Sequence, residues 1–377
     1  MKICYLADGR SIHTQRWLRY FASKGHEVHL IIYDSQELPP EEEMKNLGIK
    51  VHCFAPKFEE KLERLNHTRR ICLMRRELKL KRLLRKIKPD ILHSHFVEKY
   101  GWWGARSGFH PFVLTAWGSD IYICPRRSQK SRERISFALK QADLITSDSE
   151  DLRRATIELG ASPDRSYIVQ FGVDLTRFNP KVDPSAVRKK LKLGDSPVVL
   201  SSRGFRPIYN NDVLVRAIPL ILKEVLDAKF ILKNRYEAKG AELKRLVREL
   251  KVDGSVRFVD SVEYNEMPGY YAASDVFVSI PSSDATSVAL LEAMACGVAP
   301  VVSDLPSARE WIKNGENGYI VPARDPEALA KAIVRLLKDE VTRKLFIKRN
   351  LFLIEEKANH HKHMERMERL YYSLINQ

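Results

Sequence analysis

The chain has 377 residues, 44% hydrophobic and 30% charged, which excludes a disordered segment or a single small core and suits two domains. No stretch of about 18 apolar residues occurs, so a transmembrane helix is not expected. Five scattered cysteines (Cys4, Cys53, Cys72, Cys124, Cys296) with no C-x-x-C argue for a reducing cytoplasm and against a structural zinc site. The formal charge of +16 calls for an anionic partner.

The N-terminal "MKICYLADGR" reads as a buried strand rather than a leader. A helix through "TQRWLRYFASKG" and the strands "HEVHLIIYD" and "KVHCFAP" follow. Residues 57–88 then hold thirteen Lys/Arg against four Glu, a local +9. Leu73, Leu80, Leu84 and Ile87 recur there at helical spacing, predicting a basic amphipathic helix. One reading is a core-packed helix with a solvated basic face; another is a face that docks on an anionic membrane or other polyanion. Strands "DILHSHF", "PFVLTAW", "ADLITSDS" and "SYIVQFG" complete a first α/β half, and "FGVDLTRFNPKVDP" reads as a connector.

The second half alternates strands "PVVLSSR", "KFILKN", "VRFVDS", "VFVSIP", "APVVSD" and "GYIVP" with helices "NDVLVRAIPLILKEV", "GAELKRLVREL", "MPGYYAAS" and "SVALLEAMACG". The helix "DPEALAKAIVRLLKD" and a helical C-terminus close the chain. Both halves predict doubly wound, mostly parallel sheets with helices on both faces. Ligands in such folds sit beyond the carboxyl ends of the strands.

The strand–loop–helix at 276–297 is the most informative stretch. The loop "SSDATS" leads into a helix that starts near Thr286–Val288 and stops at Gly297. A helix N-terminus there offers unpaired N–H groups to an anion. Asp284 stands ahead of it, as a cap or as a ligand. Glu292 lies inside the helix with only Val288, Ala289, Ala295 and Cys296 three and four residues away, so no neighbour on its own helix can pair with it. A carboxylate lining a cleft and accepting from the two hydroxyls of a ribose removes that difficulty.

"PSSDATSVALLEAMACGVAPVVSD" resembles the signature of retaining glycosyltransferase family 4, of the GT-B fold. That family carries Glu-x7-Glu ahead of "ACG-x-P-V-V"; Asp284 and Glu292 have the same spacing, with Asp in the first place. "SIHTQRWLRYFASKGHEVHLI", "KPDILHSH", "FGVDLTRFNP", "YYAASDVFVSIPSS", "NGENGYIVPARDPEALAKAI" and "HMERMERLYYSL" extend the resemblance over nearly the whole chain. It implies two facing Rossmann-like domains with a cleft between them: an acceptor-binding domain at 1–178, joined by a C-terminal helix at about 356–377 that crosses back to it, and a donor-binding domain at 179–355.

The resemblance also implies roles for residues. Glu292 would hold the nucleotide ribose, Asp284 would contact the donor sugar at its reacting carbon, and Thr286, Ser287 and Val288 would meet the diphosphate. Arg203 in "SSRGFRPIYNNDVL" matches the family arginine that stabilises the leaving group. The family lysine is absent where Tyr209 or Asn210 falls, and Arg206 is the candidate second charge. The expected glycine-rich loop is missing from "FILKNRYEAKGAEL"; Glu263 and Tyr264 would lie near the base. In the first domain "AWGSDI" follows a His-Gly-x-Asp loop with Trp117 in place of His, and Asp120 reads as an exposed carboxylate at a strand end. Asp8, Ser11, His13 and His95 would line the acceptor side. His93 and His95 read as core or pocket wall, and His360, His361 and His363 as a surface cluster rather than a metal site.

The expected activity is therefore metal-independent and cofactor-free. A hexose-type sugar would move from a nucleotide-diphosphate sugar to a hydroxyl acceptor, glycan or lipid-linked, with retention of configuration. The expected location is cytoplasmic, peripheral on the inner membrane face, with no nucleic-acid partner. The alternatives are a sugar-nucleotide epimerase or hydrolase of the same fold, or a non-enzymatic basic binder of nucleic acid or anionic membrane.

Overall fold

A computed structural model describes residues 1–55, 69–233 and 240–376. It divides into two compact units, Met1–Gln170 with Lys362–Gln377, and Phe171–His361. The divisions fall eight residues before the expected 178/179 boundary and six after the expected start of the closing helix. The reason is local. Val173 and Phe178 of the connector are fully buried in the core of the second unit. Val173 N–H also donates to Ala358 at 2.6 Å, and His360 N–H to Val173 at 3.0 Å. Gly172 (φ +64°) makes this pairing feasible: a Cβ there would lie 2.8 Å from the Ala358 carbonyl oxygen.

The first unit holds seven strands: β1 Lys2–Leu6, β2 Glu27–Ile32, β3 Lys50–Cys53, β4 Ile91–His95, β5 Phe112–Thr115, β6 Leu144–Ser147 and β7 Ser166–Ile168. They run in the order β3-β2-β1-β4-β5-β6-β7, all pairs parallel. Strands such as "KICYL" and "EVHLII" are near-continuous apolar runs because helices cover both faces of a parallel sheet. The helix His360–Ile375 returns to this unit. It buries Met364, Met367 and Tyr371, a stripe at helical spacing. The Tyr371 hydroxyl bonds His93 Nδ1 at 2.5 Å and the Tyr5 hydroxyl at 3.2 Å. His93 Nε2 reaches Thr115 Oγ1 at 2.6 Å.

The second unit holds β8 Val198–Ser201, β9 Lys229–Lys233, β10 Val256–Val259, β11 Val276–Ser279, β12 Ala299–Ser303 and β13 Tyr319–Val321. Their order is β10-β9-β8-β11-β12-β13, again parallel throughout. Successive residues divide between two cores. Val199, Phe230, Val276 and Val301 face one, while Leu200, Ile231, Phe277 and Val302 face the other. All thirteen expected strands are present.

The basic helix spans Arg69–Ile87, and residues 57–68 of the expected stretch lie outside the described residues. Residues 234–239 of the segment lacking a glycine-rich loop lie outside them too. Among the described residues no helix is long and apolar enough to cross a membrane.

Candidate functional site

In the second unit β11 ends at Ser279, and the loop after it leads to the helix Val288–Ala295. Ser287 caps that helix, its Oγ accepting from Leu290 N–H at 3.3 Å. Gly297 follows the helix with φ +80°, the left-handed conformation expected of a residue ending it.

Arg203, two residues past β8, reaches across to this loop. Its Nη1 donates to Ser287 Oγ and its Nη2 to Asp284 Oδ2, both at 2.7 Å. The Tyr209 ring lies against the guanidinium, 4.4 Å from its carbon. Burial raises the Asp284 carboxyl above the usual range, although Arg203 pulls it down. Ser307 Oγ donates to the Asp284 carbonyl at 2.9 Å, and Trp311 Nε1 to Thr286 Oγ1 at 3.4 Å. Asp284, Ser287 and Trp311 border a hollow of about 20 Å³. The Arg203 loop is itself tethered. Asn210, in the left-handed region at φ 48°, donates through Nδ2 to the Ile280 carbonyl and to Ser282 Oγ, both at 2.8 Å.

Glu292 is 6% exposed, and the structure supplies it with partners from another element. Tyr264 donates to Oε1 at 3.1 Å and Tyr271 to Oε2 at 3.0 Å. Burial first, and the Glu292 charge second, push the Tyr271 phenol well above its ordinary range, so it remains a donor. Ser202 Oγ, beside Arg203, stands 3.1 Å from the same phenol. Arg177 lies over the Tyr264 ring at 5.4 Å. Val288 is the first residue of the capped helix. Glu263 is exposed at the start of the short turn Tyr264–Glu266.

The structure does not bring Arg206 to this cluster. It is exposed and lines a separate hollow of about 700 Å³, with Phe205, Asp212, Arg216, Arg245 and Arg324. Tyr209, at the place of the missing lysine, steadies Arg203 instead.

In the first unit, His13, His95 and Trp117 come together. Trp117 lies 5.6 Å from the His13 ring and 5.7 Å from that of His95. His95 is 1% exposed and also packed by Tyr5, Trp17 and His93. Burial, with His13 adding to it, lowers its imidazole to about 3, so it is neutral. It is a wall of aromatic packing rather than an open contact. Asp8 is engaged by Arg10, whose Nη2 lies 2.9 Å from Oδ2. Ser11 occupies the N-cap position of the helix Ile12–Ser23 without a side-chain cap bond.

Asp120 departs from its expected exposure, being fully buried. Its Oδ2 accepts from Val97 N–H at 2.7 Å and Oδ1 from Trp117 N–H at 3.0 Å. The carboxylate ties the loop after β5 to the loop after β4. Its side chain is spent on these backbone N–H groups and is closed to solvent. His360 Nδ1 donates to the Phe171 carbonyl at 2.8 Å, and His363 Nδ1 accepts from Gln170 N–H at 3.4 Å. These histidines serve backbone groups of the chain.

Sequence reasoning missed Tyr271 and Ser202 as partners of the site. Both tyrosines of "MPGYYAAS", Tyr270 and Tyr271, are buried in the core of this unit. A buried carboxylate with no partner on its own helix was the available signal that donors had to come from elsewhere.

Comparison with known proteins gives the family. The family described as "Glycosyl transferase 4-like" matches residues 2–149, and "Glycosyl transferases group 1" matches residues 183–351. The chain belongs to glycosyltransferase family 4. It is similar to the D-inositol 3-phosphate glycosyltransferase of Thermobispora bispora, 25% identical over 354 residues, covering 88% of this chain and 82% of that one. It is also similar to the N-acetyl-alpha-D-glucosaminyl L-malate synthase of Bacillus anthracis, 26% identical over 267 residues, 70% of this chain and 68% of that one. HepE of Anabaena, solved in complex with UDP-glucose, shares the fold with a TM-score of 0.83 at 17% identity, covering 99% of this chain and all of that one. The protein is a glycosyltransferase of the GT-B fold.

Proposed function

We propose that the chain transfers a hexose-type sugar from a nucleotide-diphosphate sugar to a hydroxyl of a glycan or lipid-linked acceptor. In this reading the anomeric configuration is retained and no metal takes part. The observation that carries it is Arg203, which bridges Ser287 at a helix N-terminus and Asp284 at the loop before it. A guanidinium has five N–H donors, and two bonds to protein leave others for phosphate oxygens. With the N–H groups near Ser287 and Val288, it supplies positive charge where the leaving diphosphate gains negative charge.

Glu292 holds the ribose, its carboxylate oriented by Tyr264 and Tyr271. Asp284 lies beside the donor sugar, and Arg203 fixes its orientation. In the front-face reaction the bond from C1 to the diphosphate oxygen breaks as the acceptor oxygen bonds C1. The acceptor proton passes to a leaving phosphate oxygen. The same reading places the enzyme in the cytoplasm, peripheral to the inner membrane face. The UDP-glucose held by HepE and the sugar transferases among the relatives support a nucleotide-sugar donor.

Calorimetry of Glu292→Ala against a panel of nucleotides tests the ribose role. Affinity is expected to fall by at least about tenfold, the scale of losing hydrogen bonds to a charged group. Unchanged affinity for every nucleotide bound by the wild type removes the assignment. Donor consumption without acceptor would instead favour a hydrolase or epimerase.

A further inference from the structure

The helix Arg69–Ile87 has two apolar faces. The inner one carries Leu80, Leu84 and Ile87 of the expected stripe, with Leu73 half-buried beside them. Cys72, Leu80, Leu84 and Ile87 are buried, and buried Arg76 bonds the Tyr33 hydroxyl. The second faces outward. Ile71, Met74 and Leu78 are 52%, 62% and 47% exposed. They are spaced three and four residues apart, so they form one continuous stripe rather than scattered exposed side chains.

Among the described residues of the helix, the exposed charges beside that stripe have one sign. The helix carries nine Lys/Arg and one Glu. The single acid, Glu77, turns away from the stripe, paired with Lys81 at 2.7 Å and with Arg106. Arg75, Arg82, Arg85 and Lys86 are exposed on the outward side, continuing or flanking the apolar stripe. The helix Glu340–Lys357 of the second unit offers a contrast. It too exposes apolar residues, Val341 at 81% and Phe352 at 73%, but exposed Glu355 and Glu356 lie on it.

We propose that the outward face of Arg69–Ile87 docks the first unit on an anionic lipid bilayer. The apolar stripe enters the boundary between headgroups and acyl chains, and the arginines and lysine meet headgroup phosphates. Among the described residues of the helix, exposed apolar side chains flanked by exposed cations, with Glu77 turned to Lys81 and Arg106, match that surface. A nucleic-acid backbone gives no return for exposing Ile71, Met74 and Leu78. The inference rests on the peripheral location proposed above and names the surface responsible; it does not depend on the donor chemistry.

Co-sedimentation of the full chain with vesicles tests it. Wild type is expected to pellet with phosphatidylcholine vesicles doped with phosphatidylglycerol, to stay in solution with phosphatidylcholine alone, and to release as salt rises. The triple variant Ile71→Ser, Met74→Ser, Leu78→Ser is expected to bind the anionic vesicles about tenfold more weakly or worse. The control Val341→Ser, Phe352→Ser should match wild type. Nucleotide calorimetry on the same preparations establishes that each is folded and separates this inference from the donor-site reading. Failure of nucleotide-competent wild type to pellet with anionic vesicles overturns the proposal, as does pelleting unaffected by the triple variant. A dimer in sedimentation velocity that the triple variant dissolves, without vesicle binding by wild type, assigns the stripe to a second copy and overturns it too. Nucleic-acid binding that survives the variant, again without vesicle binding, does the same.

Discussion

Glu292 is a buried carboxylate whose donors are two phenols, and its position depends on them. Tyr271→Phe removes one bond to a charged acceptor while leaving that acceptor buried. It is expected to cost about 1.5–3 kcal/mol of stability, measured as a shift in a urea titration of the second unit; no shift would mean the phenol does not serve Glu292. Arg203 spans Asp284, Ser287 and the Tyr209 face at once. A lysine offers a point charge in place of a planar fork. Arg203→Lys is therefore expected to weaken nucleotide binding by about tenfold, read by calorimetry; equal affinity would show that charge alone suffices. At this scale the sequence marks Glu292 as a carboxylate with no partner on its own helix, and the family resemblance marks Asp284 and Arg203. It does not mark Tyr271, because nothing along the chain tells a core tyrosine from one that donates.

The loops after β4 and β5 show how one buried side chain organises an element. Phe96 sits in the left-handed region at φ 72°, uncommon for a bulky residue. The next N–H, of Val97, is held by Asp120. Burial, outweighing the backbone N–H groups that face it, raises the Asp120 carboxyl from 3.8 to about 6. A pKa raised in the folded state means that the native protein binds more protons than the unfolded one between those values. Its contribution to stability is thus complete below the unfolded pKa and is lost as pH rises through about 6. The stability of wild type minus that of Asp120→Asn should fall by roughly 2 kcal/mol between about pH 4 and pH 7. Denaturant melts of both proteins across that range check it, and a difference independent of pH would refute it. The expected exposure of Asp120 failed because a strand-end carboxylate looks the same in sequence whether it meets solvent or caps a neighbouring loop.

At the scale of the whole molecule, the chain's last sixteen residues belong to the unit that its first residues build. Met364, Met367 and Tyr371 are fully buried there, and Tyr371 completes a buried line of hydrogen bonds from Tyr5 to Thr115 through His93. Three large side chains at about 1.5–3 kcal/mol each are a large share of a domain's stability. Removing residues 362–377 is expected to abolish or strongly lower the thermal transition of the first unit in calorimetry, and to leave that of the second nearly unchanged. Equal loss from both, or no loss, would refute the assignment of this helix.

By itself the sequence determined the two α/β halves, all thirteen strands, the family signature and the strand–loop–helix that carries Asp284 and Glu292. These are written in apolar runs, turn residues and spacings that are local along the chain. Only the tertiary structure decided that Glu292 is held by tyrosines, that Arg206 lies apart from Arg203, that Asp120 is buried, and that Arg69–Ile87 turns a second apolar stripe outward. Each of these depends on which distant residue covers a given face. Periodicity assigns an apolar residue to a side of a helix, but burial is settled by what packs against that side.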